Sequence, residues 1–165
     1  MTHAELAWRI VPLFIVTISL CFVEFRTGLI PDKIVYPAAL YFVVTGCLLG
    51  HKPWWHYPLG LIALLLLFAV IGAVYHHITG KECIGGGAIK LLAMVGGALG
   101  IMLSLQFGAI AGILFLVSLM VASRMSQMEF LPSSPFVLLS LLVVFSYHYG
   151  AVVLRIITAT SQGSD

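Results

Sequence analysis

Two short segments hold most of this chain's capacity for chemistry. The first is Val23-Glu24-Phe25-Arg26-Thr27-Gly28-Leu29-Ile30-Pro31-Asp32, and the second is Gly85-Gly86-Gly87-Ala88-Ile89-Lys90-Leu91-Leu92-Ala93-Met94-Val95-Gly96. Glu24 and Asp32 belong to a set of only six acids, with Glu5, Glu82, Glu129 and Asp165. In so apolar a chain an ionisable residue is a functional candidate. Three glycines opening a helix can cradle a phosphate. The nucleotide-binding loop, however, ends in Gly-Lys-Ser/Thr after a strand, whereas Lys90 is followed by Leu91. The glycines fit an irregular backbone at a membrane edge instead, which is tolerated where it lines a watery cavity.

The elements that position these segments follow from composition. The chain has 165 residues, of which 61% are hydrophobic and 8% charged, with a mean hydropathy of +1.12. A soluble domain is roughly 45–50% apolar and about 25% charged. That excess excludes a soluble monomer and intrinsic disorder. A transmembrane β-barrel would alternate in polarity, but the run from Leu59 to Val74 is solidly apolar. The expected fold is an all-α membrane protein, a bundle of about six transmembrane helices forming a single domain over residues 1–165. The expected spans are Leu6 to Phe25, Ile34 to Leu49, Pro58 to Tyr75, Ala88 to Leu105, Gly108 to Ala122 and Pro135 to Ile157. Gln106 marks the break between the fourth and fifth. Gly96 with Gly100, and Gly108 with Gly112, have the spacing that lets helices approach closely. They are expected to pack spans four and five together.

Orientation follows from Lys and Arg. Arg26, Lys33, Lys81, Lys90 and Arg124 fall on one side of the membrane, against Arg9, Lys52 and Arg155 on the other. The positive-inside rule places the first group in the cytoplasm, together with both chemistry-bearing segments. The N-terminus lacks a clean signal-peptide pattern. A net charge of +2 gives no basis for binding nucleic acid. Cys21, Cys47 and Cys83 are odd in number and form no CxxC pair, which argues against a disulfide framework. His76, His77 and Cys83 share a loop, but their spacing fits no standard zinc site, so no metal is expected. Asp32, after Pro31, reads as a turn or cap residue. His148 reads as a neutral histidine facing the bundle.

The order and spacing of these motifs resemble the type IV prepilin peptidases, which are membrane aspartic endopeptidases. The likeness runs through Arg26, Ile30 and Pro31, then Gly85, Gly87, Lys90 to Ala93, Gly96 and Gly100. Leu131-Pro132-Ser133-Ser134-Pro135-Phe136 is similar to the family's Ile-Pro-Phe-Gly-Pro-Phe signature. The resemblance places the family's two catalytic aspartates on Glu24 and Ala88. It makes Arg26, Gly85, Gly87 and Lys90 supporting residues, and it implies no cofactor. The implied substrate is a prepilin or pseudopilin, whose basic leader is removed at the cytoplasmic face of a prokaryotic inner membrane. The methyltransferase domain of larger members has no counterpart here.

That mechanism needs two carboxylates sharing a proton, one as general base and one as acid. Glu24 keeps a carboxylate and Ala88 has none, so the chain as written is expected to cleave poorly or not at all. Ala88 is either an introduced inactivating change or a natural loss. The rival functions are a non-catalytic relative that binds or scaffolds pilin-like helices, and a small transporter. The second is disfavoured by the scarcity of polar groups within the spans.

Overall fold

The structure, a computed structural model, describes residues 6–50, 52–80, 84–124 and 134–147. Among these residues every regular element is a helix. After a turn of π-helix at Leu6–Ile10 come α1 (Val11–Thr27), α2 (Asp32–Leu49), α3 (His56–Thr79), α4 (Gly86–Leu99), α5 (Ile101–Arg124) and α6 (Ser134–Tyr147). The stretches Trp8–Thr27, Asp32–Leu49 and His56–Ile78 are long and apolar enough to cross a membrane. The remaining apolar helices are shorter. Large side chains such as Phe22, Leu40, Leu48, Leu66 and Val70 point outward. A lipid surround accounts for this, since there outward apolar side chains carry no hydrophobic penalty. The all-α membrane architecture anticipated from composition is the one observed.

Helix α4 is the core. Every residue from Leu91 to Gly100 is buried, as expected of a helix that is apolar on all sides. It packs chiefly against α3 and α2, while α5 lies mainly against α3. Leu64 and Phe68 of α3, Phe42 of α2 and Phe107 of α5 complete the buried cluster. The seam between α3 and α4 is made of glycine. A Cβ on Gly96 would run into the carbonyl of Gly60, and one on Gly60 into that of Gly96.

Two sequence expectations are corrected here. Spans four and five part at Gly100, not near Gln106. Gly100 adopts φ 74°, ψ 165° and ends α4, a conformation open mainly to glycine. Ser104 then donates its hydroxyl to the carbonyls of Gly96 (3.0 Å) and Gly100 (2.7 Å). The turn is sealed by the chain's own groups, which an apolar surround requires. The small-residue pairs also do not join α4 to α5. Gly96 meets Gly60 of α3, Gly108 meets Leu64 and Leu67 of α3, and Gly112 meets nothing within 4 Å.

Arg9, counted with Lys52 and Arg155 for orientation, is 3% exposed. It donates to the Tyr57 hydroxyl (3.0 Å) and to the carbonyl of Ala98, and its guanidinium carbon lies 4.2 Å from the centroid of the Tyr57 ring. The N-terminal turn is thereby fastened to α3 and to the end of α4. Span six is described only as far as Tyr147. Glu5, His51, Lys81, Glu82, Cys83, Glu129, Leu131 to Ser133, His148, Arg155 and Asp165 lie outside the described residues.

Candidate active site at one end of the bundle

The end of α1, the start of α2 and the start of α4 meet at one end of the bundle. Helix α1 stops because Gly28 turns left-handed (φ 68°), its N–H reaching back to the Glu24 carbonyl at 2.8 Å. Pro31 then sets the entry to α2. At the start of α4, a Cβ on Gly87 would stand only 3.0 Å from the Cβ of Ile30. A side chain there would push the α1–α2 turn away from α4.

A cavity of about 880 Å3 opens between these pieces. Glu24, Ala88, Gly85, Gly87 and Lys90 all line it, and Asp32 does as well. The two sequence segments, Val23–Asp32 and Gly85–Gly96, are thus brought to one place. Arg26 is not part of it: its guanidinium lies on the exposed side of α1, 4.6 Å from the Phe22 ring centroid.

Glu24 is 4% exposed. Its carboxylate accepts the backbone N–H of Ser134 at 2.7 Å and also the Ser134 hydroxyl. Ser134 is fully buried and opens the described part of α6. A carboxylate at a helix N-terminus satisfies an otherwise unpaired N–H and meets the positive end of the helix dipole. The sequence reading placed Ser134 in a motif but missed it as the partner of Glu24. The available signal was a serine immediately before a proline at the head of an apolar run, a common way to begin a helix.

Ala88 is 5% exposed and borders two spaces. One is the large cavity. The other is an apolar void of about 20 Å3, bounded by Phe68, Leu92 and Phe136 among others. The methyl group offers neither space a proton or an acceptor. Across the mouth, Lys90 Nζ binds both oxygens of Asp32, at 2.8 and 2.7 Å. Both side chains are partly solvated, at 34% and 51% exposure. Among the described residues the cavity therefore carries two carboxylates, each already engaged, and no acid at position 88. His76 and His77 lie exposed at the end of α3, and among the described residues no group of three metal-ligating side chains gathers.

A polytopic helical bundle with a buried carboxylate and a glycine-opened helix lining one cavity defines an all-α membrane protein with a candidate site at one end of the bundle. The chain belongs to the type IV leader peptidase family, whose profile matches residues 11–153. It is 27% identical over 124 residues to a prepilin leader peptidase/N-methyltransferase of Aeromonas salmonicida strain A449, and equally to that of Aeromonas salmonicida. Each alignment covers 73% of this chain and 43% of the relative. The chain thus spans less than half the length of the curated relatives it matches. No solved structure matches it.

Proposed function

We propose that this chain receives the leader segment of a prepilin or pseudopilin in the cavity bounded by α1, α2 and α4, at the cytoplasmic face of a prokaryotic inner membrane. The observation that carries this reading is the convergence of Glu24 and Ala88 on one cavity. These are the two positions where the family resemblance puts catalytic aspartates. In an aspartic mechanism one carboxylate activates water while its neighbour holds a proton for the scissile carbonyl. Glu24 alone cannot fill both roles, so the sequence as written is expected to leave prepilins uncut. Acids on this side, Glu24 and Asp32 with Glu82 and Glu129, would attract a basic leader, and that attraction should weaken as salt rises.

Restoration is the direct test. Ala88→Asp, alone and combined with Glu24→Asp, is incubated with a panel of prepilins in lipid, and loss of the leader is followed by mass. The new carboxylate should turn to the large cavity, because the 20 Å3 apolar void would strip its hydration without replacing it. Cleavage by either variant supports descent from a working peptidase. If neither variant cuts any prepilin, the catalytic reading of this site is lost.

A second reading has its own observation. Glu24 is tied to Ser134 in a buried pair, the arrangement of a structural pin. On that reading the chain is a non-catalytic relative that binds or scaffolds pilin-like helices. Crosslinking of an uncleaved prepilin to the unaltered chain, with no rescue of cleavage by the variants, would support it.

A further inference from the structure

The Lys90–Asp32 contact has the make-up of a ligand complex. Asp32 opens α2 and Tyr36 lies one turn along, on a neighbouring face of the same helix. The ammonium of Lys90 sits on both carboxylate oxygens of Asp32, at 2.8 and 2.7 Å, and 5.3 Å from the centroid of the Tyr36 ring. A carboxylate beside an aromatic face is a general recognition site for a cationic side chain. Here the cation comes from α4 of the same chain. It stands on the wall of the 880 Å3 cavity, and the pair is half open to solvent.

We infer that Asp32 and Tyr36 form a subsite for a basic side chain of a bound peptide, and that Lys90 occupies it while the cavity is empty. The inference deepens the reading that the cavity receives a peptide. An incoming guanidinium or ammonium exchanges with Lys90 without net change in the charge held on Asp32. The exchange is easy because a partly exposed ion pair holds weakly. A guanidinium can also bind a carboxylate through two parallel N–H bonds and stack on a ring, which one ammonium cannot match. When displaced, Lys90 loses its tie to α2, and the contact between the heads of α2 and α4 loosens at the cavity mouth. The subsite therefore couples recognition of a basic residue to widening of the cavity.

Lys90 is its own reporter. The full chain in nanodiscs is acetylated with a limiting amine reagent, and labelling at Lys90 and Lys52 is counted by mass spectrometry. Lys52 lies near the head of α3, in the segment between α2 and α3, and serves as the internal reference. The probe is acetyl-tri-arginine amide, which the reagent does not consume. The control is acetyl-tri-citrulline amide, a neutral peptide of matching shape, at equal ionic strength. The arginine peptide should raise Lys90 labelling about two- to five-fold, the range open to a weak exposed pair, with Lys52 unchanged. In Asp32→Asn, Lys90 labelling should already be high and should no longer respond, and Tyr36→Leu should need more peptide for the same response.

Equal effects of the two peptides, or a full response in Asp32→Asn, would overturn the inference. The outcome separates from the prepilin reading. An arginine response in a chain that binds no prepilin keeps the subsite and removes the prepilin. Prepilin binding with Lys90 labelling unmoved removes the subsite alone.

Discussion

The pairing of Glu24 with Ser134 makes a quantitative claim about what holds the bundle shut. Ser134→Ala deletes the hydroxyl and leaves the backbone N–H on the carboxylate. A hydrogen bond to a charged group contributes about 1.5–3 kcal/mol, and an unsatisfied buried acceptor costs a similar amount. Polar contacts between membrane helices average only about 0.6 kcal/mol, because the unfolded chain in lipid also finds partners. The charge and the burial decide between these figures. Glu24 is 4% exposed and Ser134 fully buried, so solvent makes up little of the lost donor, and the upper range applies.

We expect Ser134→Ala to cost about 1.5–2 kcal/mol, at least a tenfold shift in the unfolding equilibrium. Glu24→Gln should cost a similar amount, since its amide group brings two donors to a site built for an acceptor. The double variant should cost clearly less than the sum, because the two changes share one interaction. The assay is reversible unfolding in mixed micelles by SDS titration. Additive losses, or a Ser134→Ala cost under about 0.5 kcal/mol, would refute the claim that Glu24 is a load shared with α6.

Other expectations follow from single contacts. Tyr57→Phe keeps the ring beneath Arg9 but removes one acceptor from a guanidinium whose Nε already lacks a partner; a loss of about 1.5–3 kcal/mol is expected in the same titration. Gly96→Ala drives a methyl into the Gly60 carbonyl and should destabilise by about 1–3 kcal/mol. Gly112→Ala, with open space around it, should be neutral or stabilising by up to about 1 kcal/mol, read as a raised thermal midpoint in nanodiscs.

Much of this was legible in the sequence, for definable reasons. Length and apolar content bound the architecture, because lipid admits few backbone arrangements. The meeting of Glu24 and Ala88 was legible through motif resemblance alone; no periodicity links positions so far apart. Other features escaped. The α4–α5 turn was sought at a polar residue, as turns in water usually are. A turn among apolar neighbours instead ends at the glycine that can adopt φ 74° and near the serine that can return its hydroxyl to the free carbonyls. Arg9 entered the sequence reading only as a charge that sets orientation, while the tyrosine and carbonyl that receive it stand 48 and 89 residues away. Asp32 reads as a turn residue in sequence and does open α2, but its ion pair with Lys90 needed the tertiary fold to appear.

The shortness of α4 has a consequence for depth. Its end at Gly100 abuts His56, the first residue of α3, so α4 ends at the level where α3 begins. At about 1.5 Å per residue, the 14 residues of α4 rise only about 21 Å, against a hydrocarbon thickness of about 30 Å. Phe68 stands level with Ala88, and α3 continues to Thr79, roughly 16 Å further on. The head of α4, which lines the cavity, therefore lies well short of the end of α3. On the proposed reading, a peptide would reach this floor only in an extended form. Hydrophobic mismatch thereby becomes part of the site's geometry: a thicker membrane sets the head of α4 deeper, and a thinner one brings it towards the water.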